Sequence, residues 1–316
     1  MTAETPLPED DAAALQEQVA PACVMSFNAS DPTGAGGTAG DVATIAAMGA
    51  HALPVVASIV MRDTAEVFDH HAIEPDVIAE QARSILEDVT IAAWKVGFLG
   101  SAEGVSAVAE ILSDYPDVPL VAYMPNLSWV EDDEQQAYHD AFRELVLPQT
   151  EVLVGSHQTL TDFLLPDWDN ERPPSSRELA VAAGEHGTRF VFVTSVILPS
   201  AKASTDQFID NVLASPQGAI TGEKFERFEA GFVGAGDTLS AALAALLGSG
   251  AELTAAVGEA LAFLDQALDA GFRPGMGNVV PDRFFWALPT DDEEGEDGAT
   301  EAPADGNPPK GPRHVH

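Results

Sequence analysis

Cysteine and positive charge are scarce in this sequence. The single cysteine among 316 residues, Cys23, excludes a disulfide framework within the chain and lies in the apolar run 22–27, so we expect a buried thiol. Lysine and arginine number 14, of which four are lysines, against 51 aspartates and glutamates, for a formal net charge of -37. Such an excess of negative charge repels nucleic acid and anionic membranes, and we expect neither as a partner.

Long apolar segments are also absent. No run approaches the roughly 20 apolar residues that a membrane-spanning helix needs. The first 20 residues are acidic and contain no apolar core of a secretory signal, so the sequence predicts a cytoplasmic protein. Residues 1–20 and 290–316 are rich in acidic residues and proline, and they predict disordered extensions on either side of one domain, residues 21–289.

The region between the extensions alternates between two kinds of pattern. Short apolar, β-branched runs bounded by turn residues predict buried strands at residues 24–27, 54–60, 92–99, 118–123, 152–154 and 190–194. Apolar residues with helical spacing occur at 77–86, 105–112 and 239–247. The alternation predicts an α/β fold with a central, mostly parallel sheet and helices on both faces. Ligands of such folds bind at the carboxyl ends of the strands, where loops lead into helices.

The segment Gly234-Ala235-Gly236-Asp237-Thr238 opens the last of these predicted helices. Its two glycines let the backbone bend and approach a ligand, and the helix start has free N–H groups and a partial positive charge. Together these features predict an anion hole. An aspartate at its rim is suited to accept a proton from a substrate hydroxyl beside a bound phosphoryl group. The alternative interpretation is an ordinary glycine turn followed by a capping aspartate.

A second glycine-rich loop follows the first predicted strand and extends from Asn28 to Asp41. Gly34, Gly36 and Ala39 fit the loose dinucleotide fingerprint G-x-G-x-x-A, which keeps a dinucleotide oxidoreductase as an alternative. The loop is too long and too polar for the tight turn of that motif. A Walker A loop is absent, because no Gly-Lys-Ser or Gly-Lys-Thr follows. Another interpretation is a flexible turn before a helix that Asp41 caps.

These loops resemble segments of the hydroxymethylpyrimidine and phosphomethylpyrimidine kinases. In that family a Gly-Ser-Asp-Pro-Ser-Gly-Gly-Ala-Gly loop leads into a helix that bears an aspartate. Here residues 29–37 read Ala-Ser-Asp-Pro-Thr-Gly-Ala-Gly-Gly, and Asp41 follows. Residues 95–99, Lys-Val-Gly-Phe-Leu, resemble the family's Lys-Ile-Gly-Met-Leu strand, and residues 234–242 resemble its Gly-Thr-Gly-Cys/Asp-Thr-Leu-Ser-Ala-Ala segment. The matching segments appear in the family's order across most of residues 22–288.

The resemblance implies a ribokinase-like three-layer fold, with ATP and Mg²⁺ as cofactors and a pyrimidine alcohol as the acceptor. It implies that Asp237 is the catalytic base, at a position where some pyrimidine kinases have cysteine. Asp41 would hydrogen-bond the ring nitrogen or amine of the acceptor, and Phe98 would lie on the apolar wall of its pocket. The other implied site residues are Gly234, Ala235 and Gly236 in the anion hole, Gly36 and Arg62 at the acceptor, and Thr194, Ser195 and Thr238 at the nucleotide.

The sequence departs from the family's pattern at several of these positions. Arg62 replaces a glutamine that reads the pyrimidine, and because arginine offers only donors, it favours a different acceptor or an anionic group such as a phosphate. Tyr123 replaces a carboxylate at the end of a strand, and a further segment lacks the family's glutamate. Those carboxylates help to place magnesium, so the metal ligands stay unassigned, although Asn126, Ser156 and His157 lie in the corresponding loops.

These features predict an ATP-dependent kinase of thiamine biosynthesis. Its acceptor would be the hydroxymethyl group of 4-amino-5-hydroxymethyl-2-methylpyrimidine or the phosphate group of its monophosphate. The nearest alternative is a pyridoxal-type kinase, which shares the fold and the base but accepts a pyridine alcohol. The missing magnesium carboxylates keep open a catalytically weak, pyrimidine-binding sensor or carrier of the same fold. The resemblance also implies a homodimer.

Overall fold

The computed structural model describes residues 20–196, 208–226 and 230–287. The chain divides into two units, Met1–Arg283 and Phe284–His316. The described part of the second unit contains one turn of 3₁₀ helix, Phe285–Ala287. The two predicted extensions fall almost entirely outside the described residues. Within the described ranges, no helix combines the length and the apolar character that crossing a membrane requires.

The first unit is built on one sheet. Its strands, in chain order, are β1 (Cys23–Ser30), β2 (His51–Arg62), β3 (Val67–Ala72), β4 (Ala93–Val96), β5 (Leu120–Tyr123), β6 (Val152–Ser156), β7 (Phe190–Val196), β8 (Phe208–Ser215) and β9 (Gly218–Glu226). They lie in the order β3-β2-β1-β4-β5-β6-β7-β8-β9. Six strands in the middle of this order are parallel to one another: β2, β1, β4, β5, β6 and β7. The strands β3, β8 and β9 pair antiparallel with their neighbours.

Within the described ranges, six helices lie between the strands and two more follow β9. They are α1 (Gly37–Ala47), α2 (Pro75–Leu86), α3 (Ala102–Ser113), α4 (Asp132–Ala141), α5 (His157–Leu164), α6 (Ser176–Glu185), α7 (Ala235–Gly248) and α8 (Leu253–Asp269). A π-helical segment, Phe142–Val146, and a 3₁₀ turn, Leu147–Gln149, follow α4. Parallel strands cannot be joined by a tight turn, so each crossover requires a segment of this length.

Successive side chains of the central strands point to opposite faces of the sheet. Met25 and Phe27 of β1, like Trp94 of β4, belong to the apolar core that the sheet shares with helices α2 to α6. Ser26 of β1 and Lys95 of β4 alternate with them, and both hydrogen-bond a side chain of α1. The centre of the sheet therefore has an apolar face and a face with polar side chains beneath α1.

Helix α7 packs on that polar face, against α1, α8 and the strands β1, β4 and β5. Every residue from Thr238 to Leu246 is buried. Of these nine residues, five are alanine or serine and three are leucine. A helix that is buried on all sides needs small residues to approach its neighbours closely. This packing directs the N-terminus of α7 towards the carboxyl ends of the central strands.

The structure confirms the predicted fold class. The six predicted strands correspond to β1, β2, β4, β5, β6 and β7, and the three helical patterns correspond to α2, α3 and α7. The sequence pattern does not predict β3, β8 and β9. These strands lie at the two margins of the sheet, where one face or both reach solvent, and they lack the continuous apolar run of a buried parallel strand.

Candidate active site

A cavity of about 670 Å³ lies where β1 and β5 end and α7 begins. Its wall includes the side chains of Asn28, Asp31, Arg62, Phe98, Tyr123 and Asp237. The carboxyl edge of a parallel sheet is the expected place for a ligand. The structure therefore brings together the predicted base, the predicted acceptor residues Arg62 and Phe98, and the backbone of the predicted anion hole.

The N-terminus of α7 has a geometry that only glycine allows. Gly234, the N-cap residue, has a φ of 86°, and a Cβ atom there would lie 1.6 Å from the carbonyl oxygen of Ala35. No side chain in the described part of the chain caps this terminus. The N–H groups of the first turn, Ala235 to Asp237, therefore have no acceptor within the helix and provide an anion-binding site at the cavity.

Tyr123 covers one side of this first turn. A Cβ atom at Gly236 would lie 2.3 Å from the phenol oxygen of Tyr123, so the glycine makes room for the ring. The ring also lies against Lys95, whose Nζ is 5.7 Å from the ring centroid. Burial, and then the charges of Asp237 and Asp41, raise the pKa of Tyr123 above its ordinary value, so its phenol is neutral and can donate a hydrogen bond.

Asp237 has two oxygens in different surroundings. Its Oδ1 accepts hydrogen bonds from Lys95 Nζ at 2.7 Å and from Asn28 Nδ2 at 2.8 Å, whereas its Oδ2 accepts only the backbone N–H of Gly37 at 3.2 Å among the described residues. The side chain is 16% exposed and lines the cavity. Burial alone would raise the pKa of Asp237, but the Lys95 ammonium and the hydrogen bonds from Asn28 and Gly37 outweigh it, so the pKa lies below its ordinary value.

Asp41 lies behind the cavity and does not line it. The residue is 0% exposed, and its Oδ2 accepts hydrogen bonds from Ser26 Oγ, from Asn28 Nδ2 at 2.9 Å and from Lys95 Nζ at 3.0 Å. Burial is the main cause that raises the pKa of Asp41 above its ordinary value. This geometry does not form the predicted contact between Asp41 and the acceptor, because the carboxylate is fully buried and does not line the cavity.

Lys95 is a site residue that the sequence prediction missed. Its side chain is 0% exposed, and its Nζ lies 2.7 Å from Oδ1 of Asp237 and 2.8 Å from Oδ1 of Asp41. Burial would lower the pKa of Lys95, but the two carboxylates outweigh it and raise the pKa, so the ammonium is charged. One signal in the sequence could have identified Lys95, because it is a lysine within an apolar segment that forms an entirely buried strand. A buried ammonium needs a counter-charge, so such a lysine indicates a carboxylate partner.

Arg283 is a second missed residue, and it joins the two glycine loops. The residue is 5% exposed; its guanidinium donates to the carbonyl oxygens of Ala35 and, at 3.4 Å, of Gly34 in the first loop. Its Nε donates to Thr238 Oγ1 of α7 at 3.1 Å. Arg283 thereby fixes the loop that follows β1 against the anion-binding end of α7.

Asp31 organises the first loop. Its Oδ1 accepts the N–H and the hydroxyl of Thr33, at 2.8 and 2.6 Å, and its Oδ2 accepts the N–H of Gly36 at 3.2 Å. A Cβ atom at Gly36 would lie 2.6 Å from Oδ2 of Asp237, so a larger residue would displace the predicted base. Arg62 reaches the same loop from β2, with its Nη1 3.4 Å from Oδ2 of Asp31. Part of its guanidinium faces the cavity, which Arg62 lines.

Aromatic side chains form one wall of the cavity. Phe98 and Trp129 both line it, with ring centroids 5.3 Å apart and planes at 73°. Tyr138 packs on Phe98 from the core side, at 5.4 Å between centroids. Such a wall suits a flat aromatic ligand, as the sequence predicts for Phe98.

The three residues predicted to bind the nucleotide do not line this cavity. Thr238 is 0% exposed, and its hydroxyl donates to the carbonyl oxygen of Gly234 at 2.8 Å and accepts from Arg283, so it stabilises α7 from inside. Thr194 and Ser195 lie near the end of β7 and do not line the cavity; the hydroxyl of Thr194 donates to the carbonyl oxygen of Gly155 at 3.4 Å. The residues that follow them, 197–207, lie outside the described part.

The described residues contain no group of three histidine, cysteine, aspartate or glutamate side chains arranged to hold a metal ion. Asp31, Glu66 and Asp237 are the carboxylates of the cavity wall. The oxygens of Asp31 and Asp237 already accept N–H and O–H donors. The site therefore does not fit a magnesium ion held by a cage of protein carboxylates, whereas the N–H groups of α7 do fit the phosphates of a nucleotide.

Residues 31–282 match the phosphomethylpyrimidine kinase family. The chain is 29% identical over 275 residues to the thiamine biosynthetic bifunctional enzyme TH1 of Arabidopsis thaliana, a match that covers 85% of this chain and 51% of TH1, about half of its length. It is 29% identical over 264 residues to the hydroxymethylpyrimidine/phosphomethylpyrimidine kinase of Mycobacterium tuberculosis, covering 82% of this chain and 92% of that protein.

Solved structures share the fold. The ADP complex of Bacillus subtilis pyridoxal kinase superposes with a TM-score of 0.73 at 20% identity, covering 85% of this chain and 100% of that one. Phosphomethylpyrimidine kinase from Clostridium difficile 630 superposes with a TM-score of 0.63 at 19% identity, covering 78% and 99%. These similarities confirm the predicted ribokinase-like fold. Because the family match extends over most of the chain, the resemblance in the two glycine loops is confirmed as well, and the chain belongs to the phosphomethylpyrimidine kinase family of phosphotransferases.

Proposed function

We propose that this chain transfers the γ-phosphoryl group of ATP to a hydroxymethylpyrimidine. The acceptor is 4-amino-5-hydroxymethyl-2-methylpyrimidine or its monophosphate, the substrate class for which the mycobacterial relative is named. The observation that carries this proposal is the position of Asp237, on the cavity wall at the first turn of α7 and next to that helix's free N–H groups. A proton acceptor and an anion hole are thereby held within one helical turn.

The chemical step uses both features. With the pyrimidine alcohol as acceptor, Asp237 Oδ2 accepts the proton of its hydroxyl, and the electron pair of that oxygen forms the bond to the γ-phosphorus. The bond from that phosphorus to the β–γ bridging oxygen breaks, and ADP leaves with the electron pair. The N–H groups of Ala235 and Gly236 stabilise the charge on the transferring group, because the helix terminus directs them at the cavity. The N–H of Gly37 holds Oδ2 in place.

The acceptor side of the cavity suits an aromatic ring with polar substituents. Phe98 and Trp129 present an apolar wall on which a pyrimidine stacks, and the polar residues Asn28 and Asp31 also line the cavity. Arg62 adds a positive charge that pairs with a phosphate if the monophosphate is the acceptor. ADP and AMP-PCP complexes of the structurally similar Staphylococcus aureus pyridoxal kinase support ATP as the donor. Binding of Mg²⁺, assembly as a homodimer and a cytoplasmic location stay predictions.

The test is ATP consumption by the purified chain with three acceptors, which are the pyrimidine alcohol, its monophosphate and pyridoxal, and in a fourth reaction without an acceptor. We expect turnover with a pyrimidine and a loss of at least about a hundredfold in kcat for Asp237→Asn, because general base catalysis contributes roughly 10²–10⁴-fold. Acceptor binding should persist in that variant. Asp88→Asn, a change to an exposed aspartate, is the matched control and should leave kcat unchanged.

The alternatives give different results in the same assay. Turnover with pyridoxal alone would favour the pyridine alcohol acceptor. Tight pyrimidine binding without turnover would favour the sensor or carrier. If Asp237→Asn turned over as fast as the wild type, the assignment of the base would be wrong.

A further inference from the structure

The Lys95 ammonium joins two carboxylates that come from different parts of the chain. It lies within 2.8 Å of Asp237, at the start of α7, and of Asp41, on α1. Asn28 duplicates this arrangement, since its Nδ2 donates to both carboxylates, at 2.8 and 2.9 Å. Two donors thus occupy Oδ1 of Asp237 from behind the cavity, and rotation of the carboxylate would break both contacts.

We propose that Lys95 is a positioning residue for the base: its ammonium holds Oδ1 of Asp237 so that Oδ2 faces the acceptor hydroxyl, and Asp41 is the partner with which Lys95 stays paired after Asp237 has taken the proton. This role rests on the proposed function, and it assigns to Asp41 a task away from the substrate. Neither residue touches the cavity.

The charges of the cluster explain why a second carboxylate is needed. Before the transfer, two carboxylates and one ammonium carry a net charge of -1. After the transfer, Lys95 and Asp41 form a neutral pair. Without Asp41, protonation of Asp237 would leave a buried ammonium with no counter-charge, which is costly, so the lysine would hold the aspartate in its charged form and oppose catalysis.

The groups that face Asp237 come from several elements. Lys95 lies on β4, Asp41 on α1 and Tyr123 on β5, and Tyr123 is neutral. Asp31, in the loop after β1, is paired with Arg62. Arg283 adds a buried positive charge from beyond α8. Among these cations, only Lys95 is in direct contact with Asp237, and its removal should therefore have the largest effect on the titration of the base.

The experiment compares the pH dependence of kcat/KM in the wild type, Lys95→Met, Asp41→Asn and the double variant Lys95→Met with Asp41→Asn. The wild type should stay active to low pH, because the pKa of Asp237 is lowered. In Lys95→Met the acid limb should move up by about one to three pH units, the range that a close opposite charge causes, and kcat should fall at least tenfold. Lys224→Met, a change to an exposed lysine, is the matched control and should leave the profile unchanged.

The double variant guards against a failure to fold. Lys95→Met alone buries two unpaired carboxylates, whereas the double variant removes one positive and one negative charge. It should unfold at a temperature closer to the wild type than Lys95→Met does, and still show the raised acid limb and the reduced kcat. Asp41→Asn should move the acid limb down, because it removes a negative charge near Asp237, and should reduce kcat.

Direct titration separates this inference from the proposed function. The carboxyl carbon of Asp237, assigned by comparison with Asp237→Asn, is followed by NMR from pH 3 to 8. An upward shift of this titration in Lys95→Met or in the double variant supports the positioning role, whether or not an acceptor is turned over. If no acceptor is turned over, only the proposed function is wrong. If a folded Lys95 variant keeps the wild-type titration, acid limb and kcat, the positioning role is wrong while the kinase activity stands.

Discussion

Replacement of Arg283 by methionine should remove the hydrogen bonds that join the two glycine loops of the active site and destabilise the protein. In the folded protein the guanidinium donates to Ala35 in the first loop and to Thr238 in α7, with longer contacts of 3.4 and 3.5 Å to Gly34 and Gly234. Methionine fills a similar volume but offers no donor. The oxygens of Ala35 and Thr238, two residues that are 0% exposed, would then lose a charged partner.

The size of the effect follows from these two contacts. A buried acceptor left without its donor costs about 1–3 kcal/mol, and more when the lost donor is charged. Two such acceptors, the carbonyl oxygen of Ala35 and Oγ1 of Thr238, lose the same charged donor here. The two longer contacts add little. We therefore expect Arg283→Met to lower the free energy of unfolding by about 3–5 kcal/mol, a large part of the 5–15 kcal/mol that is typical of a domain.

Urea unfolding, followed by tryptophan fluorescence, measures this loss. Arg273→Met is the matched control: Arg273 is exposed and donates to the carbonyl oxygen of Gly277 at 2.7 Å, so its replacement should change the free energy by about 0.5 kcal/mol or less. Arg283→Lys keeps the positive charge but loses the planar guanidinium. Its loss of unfolding free energy should lie between those of Arg273→Met and Arg283→Met. If Arg283→Met lost less than about 1 kcal/mol of unfolding free energy and kept the wild-type kcat/KM, the guanidinium would not be what holds the two glycine loops together.

Two further predictions concern the first turn of α7 and the acid stability of α6. Gly236→Ala should lower kcat/KM for ATP at least tenfold in steady-state assays, because its Cβ would displace the ring of Tyr123 across the anion hole. Glu178→Gln should cost about 0.5–1 kcal/mol at neutral pH, a value reduced by solvent screening because the side chain is 34% exposed. The hydrogen bond from Arg172, and those from Ser175, lower the pKa of Glu178 to about 2, so this contribution is present above about pH 4.5 and should disappear as the pH falls towards 2 in urea unfolding curves.

The parallel strands and the Asp237 motif could be predicted because their signals are local. A buried strand is a short apolar run, and an anion hole is two glycines followed by a helix, so each lies within about ten residues of sequence. The position of the cavity followed from the rule that ligands bind at the carboxyl edge of the sheet. Phe98, which lies near the end of a predicted strand, lines this cavity.

Lys95 and Arg283 could not be assigned in this way, because their partners are distant in sequence. Lys95 contacts residues 54 and 142 positions away, and Arg283 contacts residues 45 and 248 positions away. Asp41 illustrates the converse. Its place in a family segment suggested a contact with the acceptor, but the inward-facing side chains of β1 and β4 meet α1 first and enclose the carboxylate.

The residues at two positions of the family's pattern become related once the charges around Lys95 are counted. Position 237 carries an aspartate where some pyrimidine kinases have cysteine, and position 123 carries a tyrosine where the family has a carboxylate. A carboxylate in place of the tyrosine ring at position 123 would add a third negative charge around the Lys95 ammonium, beside those of Asp237 and Asp41. Buried like charges raise one another's pKa, so the base would be protonated at a higher pH. The neutral phenol avoids this repulsion, and the bare backbone of Gly236 accommodates its ring. An aspartate base and an uncharged residue 123 are therefore physically compatible partners, and the anion hole between them stays open to a phosphate.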